Sequence, residues 1–319
     1  QQFVVSKGKE SYIRTTNDSN QIVVLSEAQS YGMLITVEAA KKGQAYQEDF
    51  DRLYQYYLKH RLGDTQLMSW KQTISDGKVA AEDHNATDGD LYIAYSLLEA
   101  SHQWPKQAKK YQAQAKAILG DILKYNYNEE TGVLTVGNWA NGDSDFYHLM
   151  RTSDTLPAQF QVFYEVTQDP KWLDIKEKML KQLDTISSQS NTGLLPDFIW
   201  VEEQGTRVAD PNTIESKYDG SYSYNACRLP YNLVQSKDPV SQKMVKKMLG
   251  FFNDQRNLYA GYDLKGKALN NHQAASFLAP IIFASEREKS YLKLVQQNKY
   301  IFTQDLPLNN YYDATMTTM

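Results

Sequence analysis

Apolar residues recur at spacings of three and four along most of this chain, which is the pattern of amphipathic helices. The first such run follows a strand-like segment, Gln21-Ile-Val-Val-Leu25, includes Met33, Leu34 and Val37, and is ended by Gly43. Further helices are predicted at 47–60, 85–100, 105–125, 154–167, 170–187, 225–236, 239–254, 272–285 and 287–300. The pattern thus predicts ten to twelve helices, arranged in pairs, with few strands.

The segments between these helices are predicted to be polar connections. Residues 61–85 are loop-like, and residues 126–151 contain short strands and turns that include Val133–Trp139. Residues 188–224 form the longest irregular region. Long loops inside a compact domain are more often functional than decorative. The polar tail from Thr303 onwards is expected to be frayed.

No Gly/Ser-rich linker or Pro-rich break divides the sequence, so a single domain over residues 1–319 is predicted. Strands and helices do not alternate, which excludes a Rossmann fold and a triosephosphate-isomerase barrel. Paired helices can either stack as a solenoid or close into an α/α toroid. Functional-looking loops recur between successive pairs, which favours a toroid closed around a central cleft.

The composition is that of an ordinary soluble protein, with 41% hydrophobic and 23% charged residues. A net charge of −4 without a basic stripe argues against a nucleic-acid partner, and no apolar run is long enough to span a membrane. The single cysteine, Cys227, excludes an intrachain disulfide, and the five histidines lack metal-ligand spacing, so no metal or cofactor is expected. Because the chain begins Gln-Gln-Phe without an initiator Met, it is expected to be a mature or trimmed form.

The candidate chemistry is acids at helix entries beside many aromatic residues: 23 Tyr, 11 Phe and 5 Trp. Flat rings with polar tips suit sugars. Glycosidic cleavage needs one carboxylic acid to protonate the leaving oxygen and a second carboxylate to activate water or attack carbon. The acids are Glu27, Asp88, Asp90, Asp154, Asp197, Glu215 and Asp219, and the aromatics are Trp70, Trp139, Trp200, Tyr222 and Tyr224. Spacing alone does not select a pair, because most acids at helix starts are caps or dipole partners.

Seven motifs in order resemble glycoside hydrolase family 8 over about residues 22–290. The segment Ser26-Glu-Ala-Gln-Ser-Tyr-Gly-Met33 resembles the family signature, usually SEGQSYGM. The other six are Phe50-Asp-Arg-Leu53, Leu67-Met-Ser-Trp70, Ala86-Thr-Asp-Gly-Asp-Leu-Tyr-Ile-Ala-Tyr95, Gly137-Asn-Trp139, Arg151-Thr-Ser-Asp154 and Tyr224-Asn-Ala-Cys-Arg-Leu-Pro230. The departures are Ala28 for the usual Gly, and Tyr54 and Tyr231 where Trp is common. The resemblance implies an all-α fold, an (α/α)6 barrel with an open substrate cleft and short strands in its loops.

By this resemblance Glu27 is the general acid, and Asp88 holds the sugar at the cleavage subsite. Many members carry a catalytic Asp at the position of Asn225, and Asn cannot take a proton from water. One branch of the family shares this Asn and draws its base from a Glu in the preceding loop. Glu215, ten residues before Asn225, matches that branch. The residues expected to bind substrate are Trp70, Trp139, Tyr224, Asn225, Arg228 and Asp154.

The family inverts the anomeric configuration, so the resemblance implies that Glu27 and Glu215 stand about 6.5–9.5 Å apart, with room for one water. The leading hypothesis is an endo-acting hydrolase of a β-1,4-linked polysaccharide, a β-glucan such as cellulose or lichenan. A chitosanase is the alternative on the same fold, because Asp197, Glu202, Glu203, Asp210 and Asp219 could attract a cationic polymer, although charges in loops are usually only solvated. The rival from another class is a non-catalytic polysaccharide-binding protein that has lost its base at Asn225. A monomer, secreted or at the cell surface of a bacterium, is expected.

Overall fold

The computed structural model describes residues 2–18, 20–43 and 46–319 and is mainly helical. Within these residues it contains eleven α-helices, in agreement with the predicted ten to twelve. They are α1 Ser26–Lys41, α2 Gln47–Lys59, α3 Thr87–Gln103, α4 Ala108–Tyr125, α5 Pro157–Thr167, α6 Lys171–Ser187, α7 Leu229–Val234, α8 Pro239–Asn253, α9 Ala275–Arg287, α10 Leu292–Asn298 and α11 Tyr311–Thr318.

Eight short strands form three small antiparallel sheets in the described residues. The strands are β1 Val4–Lys7, β2 Glu10–Ile13, β3 Ile22–Leu25, β4 Lys71–Ser75, β5 Lys78–Ala81, β6 Leu149–Arg151, β7 Phe198–Glu202 and β8 Gly205–Val208. The sheets have the orders β1-β2, β3-β4-β5 and β6-β7-β8. The second sheet pairs β3, which leads directly into α1, with β4 in the register Leu25 to Lys71.

Two segments predicted to be irregular contain hairpins instead. In residues 61–85, β4 and β5 are joined by Asp76 and Gly77, whose φ angles of 50° and 73° are those of a tight hairpin turn. This Asp-Gly signal was missed because β5 is exposed along its whole length and shows no alternation. Residues 188–224 likewise contain the hairpin of β7 and β8. In residues 126–151 the strand is β6, whereas Val133–Trp139 is not a strand.

The prediction of a frayed tail is wrong, because the tail ends in helix α11. Asn310 caps this helix: its side-chain oxygen accepts hydrogen bonds from the backbone N–H groups of Tyr312 (3.0 Å) and Asp313 (3.1 Å). Tyr311, Ala314, Thr315 and Met316 are buried. The prediction rested on the polarity of the tail as a whole, whereas one short apolar face is enough to dock a capped helix.

The chain comprises two compact units, and the first contains the described residues of Gln1–Tyr127 with Val136–Ser144 and Pro307–Met319. In this unit α1 packs on α3 and α3 on α4. The first turns of α1 and α3 touch at Gly89, where a Cβ would lie 2.2 Å from the Ser26 Oγ. Only glycine therefore allows this approach. The buried faces include Met33, Val37 and Leu97, and burial of each such side chain contributes about 1.5–3 kcal/mol to stability.

The second unit contains Asn128–Thr135 and Asp145–Leu306. Its helices α5 and α6 pack around the buried Trp172, whose ring lies 5.8 Å from that of Phe160 and 5.0 Å from that of Phe163. The sheet β6-β7-β8 lies in the same unit, with Arg151 at the end of β6 paired to Phe198 at the start of β7. The prediction of one catalytic domain over the whole chain stays a prediction.

Candidate active site

Glu27 is the second residue of α1, and its position is set by the sheet that precedes the helix. The backbone N–H of Ser26 donates to the Trp70 carbonyl at 2.9 Å, which continues the pairing of β3 with the chain leading into β4. The Glu27 side chain is half-buried, and its Oε1 accepts a hydrogen bond from the Tyr311 hydroxyl at 2.6 Å. The acid therefore projects from a fixed helix start towards a partner on α11.

Asp88 is the second residue of α3 and is 5% exposed. Its Oδ1 accepts a hydrogen bond from the Gly89 N–H at 2.9 Å. Because the first turns of α1 and α3 touch at Gly89 and Ser26, the structure brings Glu27 and Asp88 to neighbouring helix starts. Their predicted roles as general acid and sugar-positioning acid stay predictions.

Asp90, the second acid of the same motif, has a structural role. It is fully buried, and its carboxylate accepts hydrogen bonds from the Met68 N–H at 2.9 Å and the Asn85 side-chain amide at 2.8 Å. Burial raises the pKa of Asp90 to about 8, with the Asp88 charge acting in the same direction and the two hydrogen bonds in the opposite one. Asp90 thus ties the segment that carries Trp70 to α3.

Trp70 and Trp139 both contact His84. The ring of His84 lies 5.9 Å from that of Trp70, nearly parallel to it, and 6.2 Å from that of Trp139, edge to face. The Lys71 ammonium lies 5.6 Å from the centre of the Trp70 ring. The two tryptophans predicted to bind sugar therefore lie close together in the first unit, where both contact His84. No pattern in the sequence indicated a role for this histidine.

Glu215 lies on the loop after β8, where one buried carboxylate holds the backbone. The side chain of Asp219 accepts hydrogen bonds from the N–H groups of Ile214 (2.8 Å), Glu215 (3.1 Å) and Ser216 (2.8 Å). The Glu215 side chain itself is 46% exposed. Its Oε2 accepts a hydrogen bond from the Asn225 Nδ2 at 2.8 Å, and its Oε1 lies 3.5 Å from the Arg151 Nη2. The loop is fixed, while the carboxylate stays open to water.

Asn225 and Arg228 form the wall against Glu215. Asn225 is 9% exposed, and its Oδ1 accepts a hydrogen bond from the Arg228 Nη2 at 2.7 Å, which leaves its Nδ2 to donate to Glu215. Arg228 is 2% exposed and also donates from Nη2 to the Ser153 Oγ at 2.8 Å. The structure thus brings together three of the residues that the resemblance singled out.

Asp197 holds the backbone turn on which Asn225 sits. Its Oδ1 accepts N–H hydrogen bonds from Ser223 (3.1 Å), Asn225 (3.1 Å) and Ala226 (2.7 Å). Burial, together with the Glu215 charge, raises the pKa of Asp197 to about 7, although the three hydrogen bonds act in the opposite direction. A buried acid with this many backbone partners orders the turn and is not a charge presented to a polymer.

The two remaining predicted residues differ in exposure. Tyr224 is 45% exposed and packs edge to face on Phe277 at 5.0 Å, so one part of its ring is open to a ligand. Asp154 is 1% exposed, and its Oδ1 lies 3.5 Å from the Arg151 Nη1. Asp154 is therefore a buried partner of Arg151, and its predicted role in substrate binding stays a prediction.

Three residues of the site were not given a role by the sequence reasoning. Arg151 and Asp219 appeared only as part of a motif and as one acid among several, and Tyr311 lay in the tail predicted to be frayed. A signal for Tyr311 was present, since Asn310 followed by Asp313 three residues later is typical of a helix start. No comparable local signal marks Asp219, because its partners are backbone groups.

Within residues 2–18, 20–43 and 46–319 no group of three or more His, Cys, Asp or Glu side chains is arranged to hold a metal ion. None of the helices in this part of the chain is long and apolar enough to cross a membrane. Cys227 is buried and forms no disulfide.

Known proteins resemble this chain along its length. A β-glucanase of Niallia circulans is 32% identical over 292 residues, which cover 85% of this chain and 71% of that protein. An endoglucanase of Bacillus sp. (strain KSM-330) is 30% identical over 275 residues, covering 81% of this chain and 58% of that protein. The chain therefore spans between half and three quarters of the length of these two relatives.

The apo structure of a β-1,3-1,4-glucanase from Paenibacillus sp. X4 superimposes with a TM-score of 0.89 at 28% identity, covering 99% of this chain and 86% of that one. The family model described as glycosyl hydrolases family 8 matches residues 1–319. The all-α (α/α)6 barrel fold and the glycoside hydrolase class expected from the motifs are thereby confirmed. The chain belongs to the glycosyl hydrolases of family 8.

Proposed function

We propose that this chain is an inverting, endo-acting hydrolase of a β-1,4-linked β-glucan, with Glu27 as general acid and Glu215 as general base. Asp88 positions the sugar at the cleavage subsite. The observation that carries the assignment of the base is the hydrogen bond from the Asn225 Nδ2 to the Glu215 Oε2 at 2.8 Å. This bond places a carboxylate next to the residue where many members of the family carry their catalytic Asp.

Asn225 is unsuited to be the base itself. Its amide oxygen is engaged by Arg228 and its amide nitrogen donates to Glu215, and an amide does not accept a proton from water near neutral pH. The Glu215 carboxylate is 46% exposed, and its orientation is set by Asn225 and Arg151. Exposure allows a water molecule to reach it, and the two donors fix the direction in which it accepts a proton.

The chemistry consists of two proton transfers around one displacement. Glu27 gives its proton to the glycosidic oxygen, whose bond to the anomeric carbon breaks with the electron pair staying on that oxygen. A water oxygen forms the new bond to the anomeric carbon from the opposite face, and Glu215 takes the water proton. The products are two shorter chains, one of which carries an inverted anomeric hydroxyl. A proton donor and a proton acceptor each contribute typically about 10²–10⁴-fold to the rate.

The surroundings of the acidic residues near Glu215 support a neutral glucan over chitosan. Asp197 and Asp219 are buried and bound to backbone N–H groups. Glu202 and Asp210 lie 3.3 Å and 3.5 Å from the guanidinium of Arg207, whose single positive charge offsets one of their two negative charges. Of the five acids that suggested a cationic substrate, two are thus internal and two are paired with a cation. The names of the relatives, β-glucanase and endoglucanase, support the same substrate class.

The experiment is a reducing-sugar assay on lichenan, carboxymethylcellulose, xylan and chitosan, with Glu27→Gln as the inactive control. We expect hydrolysis of lichenan or carboxymethylcellulose, a rapid fall in viscosity, and α-configured new reducing ends by proton NMR. Preferential hydrolysis of chitosan would replace the substrate assignment. Binding of glucan without cleavage by the unmodified protein would instead support the non-catalytic reading.

We further propose that the protein is a monomer. We also propose that it acts outside the cell or at its surface, because a polymeric substrate of this kind is not taken up intact. Size-exclusion chromatography with light scattering and fractionation of the producing cells test the two parts of this proposal separately. A stable dimer, or enzyme confined to the cytoplasm, would contradict them.

A further inference from the structure

The C-terminal segment returns to the first unit and is anchored there at several points. The Asn17 Nδ2 donates to the Asn309 carbonyl at 2.8 Å, which fixes the chain just before α11. Asn310 then caps the helix through two backbone N–H groups, and Met316 is 6% exposed on its inner face. The first residue of α11 is therefore held in place from both sides.

That first residue is Tyr311, which is 8% exposed. Its ring packs edge to face on Phe3 at 6.4 Å, and its hydroxyl donates to the Glu27 Oε1 at 2.6 Å. The contact joins two residues 284 positions apart in the sequence. A capped helix start thus delivers one hydroxyl to the carboxyl group that we assign as the proton donor.

We propose that Tyr311 is a positioning residue for the general acid: it holds the Glu27 Oε1 so that the transferable proton resides on Oε2. This inference rests on the proposed function of Glu27. Because Oε1 accepts the tyrosine hydrogen bond, a proton on Oε1 would weaken that bond, whereas a proton on Oε2 leaves it intact. Tyr311 keeps its own proton throughout.

The same hydrogen bond assists the transfer itself. A hydroxyl donates more strongly to a carboxylate than to a carboxylic acid, so it stabilises Glu27 after the proton has left. Loss of this hydrogen bond should make Glu27 a weaker acid, so that Glu27 keeps its proton to higher pH. A purely structural contact would lower stability without moving the pH dependence of the reaction.

The test compares Tyr311→Phe with Tyr111→Phe, since the Tyr111 hydroxyl donates to the Asp51 carboxylate at 2.8 Å in the same unit, away from Glu27. For Tyr311→Phe we expect kcat on lichenan to fall about tenfold or more with little change in KM, as removal of a hydrogen bond to a charged group implies. The alkaline limb of the kcat/KM profile should move upward by about one pH unit. On a dinitrophenyl β-cellotrioside, whose leaving group needs no proton, the loss should be smaller than on lichenan. Tyr111→Phe should leave the profile unchanged.

The role of Tyr311 would be overturned if Tyr311→Phe left the alkaline limb of the kcat/KM profile in place and lowered kcat equally on both substrates. If Tyr311→Phe does not fold, Asn310→Ala, which removes only the cap of α11, should shift the limb in the same direction by a smaller amount. An unshifted limb in that folded variant would also overturn the role. The proposed function fails separately: it fails if the unmodified protein cleaves no glucan or if Glu27→Gln stays active.

Discussion

The two carboxyl groups that we propose as acid and base are held by different kinds of structure. Glu27 stands at the start of a long helix whose place is set by packing, through the contact of Gly89 with Ser26. Glu215 stands on a loop whose backbone is held by three hydrogen bonds to the Asp219 carboxylate. The first arrangement is distributed over many apolar contacts, and the second is concentrated in one side chain. Single polar substitutions should therefore disturb the base more than the acid.

The immediate partners of the two carboxyl groups differ as well. Glu27 accepts a hydrogen bond from a neutral tyrosine hydroxyl, which favours the ionised carboxylate less than a cation would and so suits the proposed proton donor. Glu215 has an amide N–H and a guanidinium beside it, which suits a group that must be ionised to accept one. The two proposed tasks are thus matched by partners of different charge.

The largest expected effect separates the two roles directly. Glu27→Gln and Glu215→Gln should each lower kcat on lichenan by about 10³-fold or more, as loss of a general acid or base does. On dinitrophenyl β-cellotrioside, Glu27→Gln should recover most of its activity because the leaving group needs no proton, whereas Glu215→Gln should stay inactive. Steady-state kinetics on both substrates measures this. Glu38→Gln on the exposed face of α1 is the control.

Equal recovery of both variants on the activated substrate would contradict the assignment, since it would mean that neither carboxylate is needed to activate water. Recovery of Glu215→Gln alone would exchange the two roles.

Asp219→Asn should have the next largest effect. An amide at this position cannot accept from three N–H groups as a carboxylate does, so the loop of Glu215 should loosen and kcat should fall about 10–100-fold. Asp238→Asn is the matched control, because Asp238 accepts a single backbone N–H at the start of α8 at 2.8 Å. Kinetics on lichenan, with circular dichroism to establish folding, measures the difference. A kcat equal to that of the control would show that Glu215 does not depend on this clamp.

A pH effect on stability should appear in the base-bearing unit. The pKa of Asp197 is raised from 3.8 to about 7, so between these values the folded protein binds a proton that the unfolded chain has lost. The contribution of Asp197 to the free energy of unfolding is fully present below pH 3.8 and is lost as the pH rises from 3.8 through about 7. Between pH 5.5 and 8 the loss should amount to roughly 2 kcal/mol. Urea unfolding of the unmodified protein and of Asp197→Asn at the two pH values measures it.

In Asp197→Asn this part of the pH dependence should disappear. If the free energy of unfolding changes with pH equally in the variant and in the unmodified protein, Asp197 does not take up a proton on folding.

An effect of similar size is expected from the helix packing beside Glu27. Gly89→Ala would place a Cβ 2.2 Å from the Ser26 Oγ and 2.9 Å from the Ser26 carbonyl carbon, which should force α1 and α3 apart and cost about 1–3 kcal/mol of stability. Gly120→Ala in α4, where a Cβ meets no atom within 4 Å, should instead stabilise the protein by about 0.5–1 kcal/mol. Thermal unfolding of the pair measures both. A neutral Gly89→Ala would show that the helix starts are less tightly packed than the structure indicates.

The helices and the position of Glu27 at a helix start could be predicted because their signals are local. The spacing of Met33, Leu34 and Val37 predicts α1, and the motif around Glu27 lies at its start. The hairpin of β4 and β5 was missed because its outer strand is exposed and lacks alternation. Tyr311 and Asp219 were missed for a different reason: the first acts across 284 residues of sequence, and the second acts on backbone groups, which no residue pattern records.

The most direct test of Glu215 as the base is azide rescue of Glu215→Ala. Removal of the carboxylate leaves space beside Asn225 for a small anion that can attack the anomeric carbon without losing a proton. With dinitrophenyl β-cellotrioside we expect negligible turnover in buffer, recovery by about 10-fold or more in sodium azide, and an α-glycosyl azide as product, because the attack inverts configuration. Glu215→Ala that retains the activity of the unmodified protein without azide would contradict the assignment of the base.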